Sequence, residues 1–245
     1  MTFAHRALAS LSRRVDRPEL LATFYPGARR LLHEEIAVEA VLAAVLRDDA
    51  TYVDVGANRG QLLRVALRAA PAGRHVAFEP IPELADELRR EFPLLDSRQL
   101  ALSDQPGAAE FCHFRTMDGW SGLRRSLEVS DERGAPEYID VRVSTLDAEL
   151  GELRPDVIKI DVEGAELEVV RGGRELLARV KPFVIFEHVP SASALYGSPP
   201  AAVWDELRAL GYEVFSITGE GPFTRDAFAA REEIVNWFAR PASIS

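Results

Sequence analysis

Apolar residues follow two spacings along the chain, and the two spacings alternate. Short β-branched runs such as TYVDV at 51–55 are typical of buried strands. Segments such as QLLRVALRAA at 61–70 instead place apolar residues three and four positions apart, which indicates amphipathic helices. Proline and glycine follow these segments, as Pro71 and Gly73 do here, and mark their ends. The pattern therefore predicts strands that alternate with helices.

The same two patterns recur to the end of the chain. Strands are predicted over 51–55, 75–79, 97–102, 107–114, 138–143, 156–161, 182–188, 212–217 and 233–239. Helices are predicted over 30–47, 61–70, 81–92, 164–180 and 200–211, with a polar loop over 115–137. Strands that alternate with helices, joined by right-handed crossovers, predict an α/β fold with a doubly wound, mostly parallel sheet.

Length and composition bound the organisation of the chain. Its 245 residues, 47% of them hydrophobic, suit one globular domain over 29–245 that follows an N-terminal extension over 1–28, which we expect to be helical. No stretch approaches the roughly 20 apolar residues of a membrane helix or resembles a signal peptide. We expect the extension to form a packed cap or a homodimer contact.

Charge and cysteine content exclude some partners and sites. A formal net charge of −10 argues against a nucleic-acid partner, because such affinity comes from basic residues that neutralise phosphates. The single cysteine, Cys112, cannot form an internal disulfide or a cysteine-ligated metal cluster. A reducing compartment is expected, and we predict a cytoplasmic protein.

The turn VDVGANRG at 53–60 is the first candidate binding site. Asp54 ends a predicted strand, and Gly56 and Gly60 allow a sharp turn with close approach to a ligand. The following helix offers free N–H groups and a positive dipole end. Glu79 ends the next strand about 20 residues later, the spacing at which a carboxylate accepts the hydroxyls of a ribose. The pattern predicts a nucleoside cofactor, the alternative being an ordinary strand-to-helix turn.

The kind of cofactor follows from what the turn lacks. The last glycine, Gly60, comes too early for the Gly-x-Gly-x-x-Gly dinucleotide fingerprint, and the lysine and hydroxyl ending of a P-loop is missing. The two carboxylates suit a ligand that has both a ribose and a positive charge. S-adenosylmethionine is therefore favoured over NAD or ATP.

Three stretches resemble the FkbM family of S-adenosylmethionine-dependent methyltransferases. They are VDVGANRG at 53–60, LALSDQPGAAEF at 100–111 and STLDAEL…DVIKIDVEGAELEVVRGG at 144–173, of which KIDVEGAE is the most specific. The resemblance runs from about residue 34 to the end of the chain. It implies the Rossmann-like class I methyltransferase fold with a seven-stranded sheet, and methylation of hydroxyls on carbohydrates, glycolipids or secondary metabolites.

The resemblance also implies roles for individual residues. The loop beside the methionine part of the cofactor would consist of Asp54, Gly56, Ala57, Asn58 and Gly60. Glu79 would bind the ribose. Leu102, Ser103 and Asp104 would lie near the adenine.

Carboxylates and a histidine at two strand ends are the catalytic candidates. A sugar hydroxyl needs a base or a metal ion to take its proton. Asp161 ends one predicted strand, with Glu163 and Glu166 after it, and Glu187 and His188 end the next. We expect these groups to face each other across a cleft, where Asp161, Glu187 and His188 provide the base or bind a divalent cation such as Mg²⁺.

Each of these residues also has a structural interpretation. Asp161 could contact only the cofactor amine, Glu163 and Glu166 could cap a helix, and His188 could be a core histidine. Glu163 and Trp120 are candidates for contacting the substrate, and Trp120 could equally anchor its loop. His113 is a weaker catalytic candidate, and Arg124 and Arg125 could meet an anion or face solvent.

The leading hypothesis is an S-adenosylmethionine-dependent O-methyltransferase that acts on a small-molecule or glycan acceptor. Methyl transfer to a nitrogen or a carboxylate is an alternative, because nothing in the sequence determines the accepting atom. A nucleoside-binding regulatory module without catalysis is a third hypothesis, against which Asp54, Glu79 and Asp161 argue. An NAD-dependent oxidoreductase is disfavoured by the glycine spacing.

Overall fold

A computed structural model describes residues 26–115, 121–124 and 136–242. Residues 1–25 of the predicted extension therefore lie outside the described part, and the boundary predicted at residue 28 falls inside the first described helix. No helix in the described ranges is long and apolar enough to cross a membrane.

Helices and strands alternate through most of the described chain. The helices are α1 Pro26–Val45, α2 Gln61–Ala69, α3 Pro82–Glu91, α4 Leu146–Leu150, α5 Glu166–Gly172, α6 Arg174–Val180, α7 Pro190–Ala194, α8 Ala202–Ala209 and α9 Arg225–Ala229. The strands are β1 Tyr52–Val55, β2 Val76–Phe78, β3 Asp96–Arg98, β4 Ala101–Leu102, β5 Gly107–His113, β6 Glu137–Ser144, β7 Val157–Ile160, β8 Phe183–Glu187, β9 Tyr212–Ser216 and β10 Asn236–Pro241.

A seven-stranded sheet in the order β3-β2-β1-β7-β8-β10-β9 forms the centre of the fold. Its strands are parallel except β10, which runs antiparallel to both β8 and β9. The predicted doubly wound, mostly parallel α/β sheet is confirmed. Chain order reverses between β1 and β7, so a crevice opens there beyond the carboxyl ends of the strands.

Strand β1 shows how the sheet is buried on both faces. Its four residues are all buried, and successive side chains point to opposite sides. Val53 and Val55 join the core that contains residues of α5, α6 and α8. Tyr52 joins the core formed with α1 and α2. A strand that is buried on both faces has an almost continuous run of apolar residues, so it can be recognised from the sequence.

The strand predicted over 97–102 is wrong in extent. The chain leaves the main sheet after Arg98 and enters a second, three-stranded sheet in the order β4-β6-β5. The main part of that sheet is the antiparallel pair β5–β6, in which Gly107 faces Val143 and His113 faces Glu137. Its apolar face packs Phe111 on the beginning of α3. The spacing of apolar residues along 97–102 cannot show that its first residues belong to one sheet and its last residues to another.

The helix predicted over 164–180 is interrupted at two glycines. A Cβ atom on Gly172 would lie 2.1 Å from the carbonyl oxygen of Ser103, and one on Gly173 would lie 2.9 Å from Leu146 Cδ1. Only glycine permits these close approaches. Helix α5 ends at Gly172, and α6 begins at Arg174. The short helices α4, α7 and α9 were not predicted, and β10 begins three residues later than the strand predicted over 233–239.

Candidate active site

The turn between β1 and α2 approaches β7 very closely. Gly56, Asn58 and Gly60 have φ values of 78°, 48° and 71°, in the left-handed region that favours glycine. A Cβ atom on Gly56 would lie 1.9 Å from the carbonyl oxygen of Asp161, and one on Gly60 would lie 2.7 Å from the Phe92 ring. Both glycines are therefore needed for packing as well as for turning.

Lys159 connects the carboxylates at the ends of β1 and β7. Its Nζ lies 3.5 Å from Asp54 Oδ1 and 3.1 Å from Asp161 Oδ2, and it donates a hydrogen bond of 3.2 Å to the carbonyl of Gly56. Asp54 is only 1% exposed. Burial raises the pKa of Asp54, and the Lys159 ammonium opposes that rise. The result is an alternation of negative and positive groups at the switch point of the sheet.

The Glu79 carboxylate is held by backbone N–H groups on both sides. Oε2 accepts from Asn58 N–H at 2.8 Å, and Oε1 accepts from Ile81 N–H at 2.9 Å. Burial raises the pKa of Glu79 to about 7, although both hydrogen bonds favour the ionised form. Each oxygen keeps a second lone pair for a ligand hydroxyl.

Three carboxylates from two strand ends lie together. Asp161, Glu163 and Glu187 each offer an oxygen within 4.8 Å of the others. Glu166 stabilises the turn that contains Asp161 and Glu163. Its Oε1 accepts from Val162 N–H at 3.3 Å and from Gly164 N–H at 3.0 Å. Burial, with repulsion from Glu187 and Asp161, raises the pKa of Glu166 to about 8.

The carboxylates of Asp54, Glu79, Asp161, Glu163 and Glu187 face a cavity of about 500 Å³. The apolar wall near β2 includes Ile81, Leu100, Ala101, Leu102, Phe111 and Leu123. The polar floor consists of Asp54, Gly56, Glu79, Lys159, Asp161 and Glu163. The opposite end is lined by Leu31, Glu35 and Val38 of α1 and by Ile185, Glu187, Val235 and Asn236.

Residues 54–214 match the family model of the methyltransferase FkbM domain. The chain belongs to this family. Its membership confirms the resemblance seen in VDVGANRG and KIDVEGAE, both of which lie at or within the matched segment.

Curated relatives of this FkbM chain differ widely in length. The antimetabolite synthetase AmbE of Pseudomonas aeruginosa is 30% identical over 75% of this chain, which spans only 10% of AmbE. Methyltransferase sdnD of Sordaria araneosa is 33% identical over 49% of this chain and 59% of its own length. The 2-O-methyltransferase NoeI of Sinorhizobium fredii is 29% identical over 69% of this chain and 75% of its own length.

A crystal structure of methyltransferase FkbM from Methylobacillus flagellatus KT is similar to the chain at 15% identity. It covers 80% of this chain and 45% of its own, with a TM-score of 0.49.

Most of the predicted site residues of this FkbM domain line the cavity. They are Asp54, Gly56, Ala57, Asn58, Glu79, Leu102, Asp161, Glu163 and Glu187. Gly60 does not line it but packs on α3 beside Leu88 and Phe92. Ser103 and Asp104 also lie off the cavity, against Gly172, and Ser103 N–H donates to the Ser144 carbonyl at 2.9 Å.

His188 lies apart from the carboxylates that it was expected to join. Its ring stacks on Phe228 with 5.2 Å between centroids, and Nδ1 lies 3.3 Å from Ser193 Oγ. Burial lowers the pKa of His188 to about 4, so the ring is neutral. Neighbouring residues of an extended strand point to opposite faces, which is why Glu187 reaches the cavity and His188 does not.

The polar loop is described only in part. Trp120 and Arg125 lie outside the described residues, and His113 is a buried residue at the end of β5 in the second sheet. The segment 121–124 is held on β5, because Gly122 and Cys112 exchange backbone hydrogen bonds and Phe114 N–H donates to Ser121 Oγ at 3.0 Å. Ser121 and Leu123 thereby line the cavity.

Lys159 is a charged site residue that sequence reasoning missed. A signal was available, because Lys159 is the one charged residue within the apolar strand VIKI. A lysine in a buried strand needs a partner, and its partners are the two carboxylates at the switch point.

Proposed function

We propose that this chain is an S-adenosylmethionine-dependent O-methyltransferase that acts on a hydroxyl of a carbohydrate, glycolipid or secondary metabolite. The observation that carries the proposal is the cavity at the β1–β7 switch point, where acids face an apolar wall. Family membership and the name of the relative NoeI, a 2-O-methyltransferase, support it. A hydroxyl acceptor is favoured over a nitrogen or a carboxylate on that ground.

The donor set fits the cofactor part by part. Glu79 has lone pairs for the two ribose hydroxyls. Leu100, Leu102 and Phe111 would contact the adenine. Asp161 would accept from the methionine ammonium, and the Lys159 ammonium, 3.1 Å from the Asp161 carboxylate, would meet the methionine carboxylate.

Transfer requires alignment of the acceptor and removal of its proton. S-adenosylmethionine supplies the electrophilic methyl group and, as the thioether, the leaving group. We assign the base to Glu187, because it lines the cavity at the end of β8 and has a carboxylate oxygen within 4.8 Å of those of Asp161 and Glu163. Its carboxylate takes the hydroxyl proton as the oxygen bonds to the methyl carbon, and the electron pair of the broken carbon–sulfur bond returns to sulfur.

A divalent cation is the second candidate for activating the hydroxyl. Asp161, Glu163 and Glu187 form an all-oxygen donor set of the kind that Mg²⁺ prefers, and Glu163 takes the place in it that His188 was expected to fill. Assays with EDTA and with added Mg²⁺ separate the two mechanisms. Activity that survives EDTA would argue against a cation and leave Glu187 as the proposed base.

Calorimetric titration with S-adenosylmethionine tests the proposal most directly. We expect binding by the wild type, and affinity at least about tenfold weaker in Glu79→Ala and in Asp54→Ala, because each loses a charge-assisted contact. Glu152→Ala, at a side chain that is 99% exposed, is the matched control and should bind normally. NAD should give no heat. An absence of S-adenosylmethionine binding at millimolar concentration would contradict the proposal and favour a module without catalysis.

A further inference from the structure

Helix α1 presents an apolar stripe to one end of the cavity. Leu31 and Val38 lie seven positions apart, which is two turns of the helix, so they share a face, and both line the cavity. Both residues are buried. Glu35 lies between them on the same face and also lines the cavity. With a rise of 1.5 Å for each residue, the stripe is about 10 Å long.

The two ends of the stripe belong to different cores. Val38 is part of the core that contains Ala57, in the turn beside the cofactor, and Ile185 of β8. Leu31 is part of a small core that contains Val235, just before β10. The stripe therefore runs from the turn beside the cofactor to the start of β10. We call the part of the cavity bounded by Leu31, Val38, Ile185 and Val235 the α1 slot.

Strand β8 brings the proposed base to the same end of the cavity. Ile185 and Glu187 are two positions apart on β8, so their side chains point to the same face of the sheet, and both line the cavity. Asn236 is the direct partner of Glu187 in the antiparallel β8–β10 pair and lines the cavity as well. The carboxylate proposed to take the hydroxyl proton therefore shares this end of the cavity with the α1 slot.

Two attachments fix α1 relative to the sheet. Glu34 Oε2 accepts from Val235 N–H at 3.1 Å and from Asn236 N–H at 2.8 Å, which connects the N-terminal half of the helix to β10. Leu42 and Leu46 set the C-terminal half in the core. Because the helix is held at both halves, the α1 slot is formed before a ligand binds.

The side chains that bound the slot favour an apolar ligand. Leu31, Val38, Ile185 and Val235 are aliphatic, and contact with them removes apolar ligand surface from water, which is favourable. These four side chains have no hydrogen-bonding groups. Sugar hydroxyls placed against them would lose hydration without compensation. A ligand with an apolar portion therefore fits the slot better than a free sugar does.

Most of the slot lies outside the segment that matches the family model. That segment, 54–214, contains the residues that face the cofactor, whereas Leu31, Val38 and Val235 lie beyond it. Recognition of the acceptor is the part of the reaction that the cofactor does not determine. The elements beyond the matched segment are therefore where we expect a preference for one class of acceptor to arise.

We propose that the α1 slot is the acceptor site and that it binds the apolar portion of an amphiphilic acceptor, whose hydroxyl lies at Glu187 while its apolar portion extends from Val38 toward Leu31. The acceptor is then a glycolipid or another hydroxyl-bearing compound with an apolar portion about 10 Å long, and not a free carbohydrate. This inference rests on the proposed methyltransferase function.

Alkyl β-D-glucopyranosides, which share one head group and differ in chain length, provide the test. Methyl, butyl and octyl glucoside are titrated below their micelle-forming concentrations into protein loaded with S-adenosylhomocysteine, so that no methyl transfer occurs during the measurement. The wild type, Leu31→Trp and Ile36→Trp are compared. Ile36 lies on the same helix, is 56% exposed and does not line the cavity, so its variant is the matched control.

We expect the wild type to bind octyl glucoside at least about thirtyfold more tightly than methyl glucoside, because each fully buried methylene tightens binding by about fourfold. Leu31→Trp fills the far end of the slot. It should reduce this ratio to about threefold or less, with the affinity for S-adenosylhomocysteine within about twofold of the wild type. Ile36→Trp should keep the wild-type ratio.

Other outcomes would overturn the inference. Equal affinity of the wild type for methyl and octyl glucoside would do so, as would a ratio that Leu31→Trp leaves unchanged, because the octyl chain would then bind elsewhere. If Leu31→Trp does not fold, Leu31→Gln, which makes the far end of the slot polar, should lower the same ratio. A protein that binds neither S-adenosylmethionine nor S-adenosylhomocysteine would instead overturn the proposed function, so the two failures are distinguishable.

Discussion

Glu166 shows how burial sets the charge of a carboxyl beneath the site. Its side chain is 1% exposed, and its Oε1 holds the turn between Asp161 and Ala165 through two backbone N–H groups. Since its pKa is raised from 4.5 to about 8, the folded protein keeps a proton there that the unfolded chain releases. The same carboxyl is thus a structural support that is neutral at pH 7.

This protonation makes a prediction about stability. The folded pKa is raised, so the wild type should lose free energy of unfolding as pH rises from about 4.5 to 8, by at most about 1.4 kcal/mol per pH unit from this group. Glu166→Gln stays neutral and can still accept both N–H bonds. Its free energy of unfolding should therefore fall less than that of the wild type over the same pH range. Urea unfolding at pH 5, 6, 7 and 8 measures the difference. The exposed Glu175→Gln is the control, and parallel curves for wild type and Glu166→Gln would contradict the prediction.

At the scale of elements, the placement of α1 depends on one buried side chain. Glu34 satisfies the backbone N–H groups of Val235 and Asn236, which lie just before and at the start of β10. Burial raises the pKa of Glu34, and the two backbone hydrogen bonds oppose that rise because they stabilise the carboxylate. A helix remote in sequence is thereby attached beside the cavity.

Glu34→Ala should release this attachment. It leaves the buried Val235 N–H without its acceptor, and a loss of about 1–3 kcal/mol in the free energy of unfolding is expected. The KM for the acceptor should rise, while S-adenosylmethionine affinity should stay within about twofold because the residues facing the cofactor lie elsewhere. Denaturation and calorimetry measure the two effects. A stability loss below about 0.5 kcal/mol, or an equal loss of cofactor affinity, would argue that Glu34 does not anchor α1.

At the scale of the whole molecule, the cavity draws on most of the fold. Its lining comes from α1, the ends of β1, β2, β7 and β8, the second sheet and the start of β10. A ligand that fills the cavity therefore contacts both halves of the main sheet and should oppose unfolding of the entire domain.

Thermal unfolding with S-adenosylmethionine tests this coupling. At a concentration of about 100 times Kd, binding contributes about 2.7 kcal/mol, which for a domain of this size corresponds to a rise in Tm of roughly 5–10 °C. NAD at the same concentration should leave Tm unchanged, and Glu79→Ala should reduce the rise. A Tm that does not respond to a ligand shown to bind by calorimetry would contradict a site shared across the sheet.

The turn after β1 could be predicted from one local motif. Gly56 and Gly60 mark the turn, and Asp54 and Glu79 lie next to the ends of β1 and β2, because each signal depends on neighbours along the chain. Strand alternation could also have separated Glu187 from His188 and joined Lys159 to Asp161, since residues two apart share a face. The sequence was therefore sufficient to predict all of these features. The separation of Glu187 from His188 and the shared face of Lys159 and Asp161 were nevertheless not predicted from it.

The sequence by itself determined the alternating strands and helices, the glycine turn and the acids near the strand ends, because these features depend on short-range spacing. The family followed from the resemblance of its motifs to those of a known family. Only the tertiary structure decided that 97–102 serves two sheets, that glycines divide α5 from α6, and that Ser121 and Leu123 reach the cavity. It alone placed α1 beside Asn236, a contact between residues 202 positions apart. Such contacts depend on which surfaces bury each other after folding, and no local pattern records that choice.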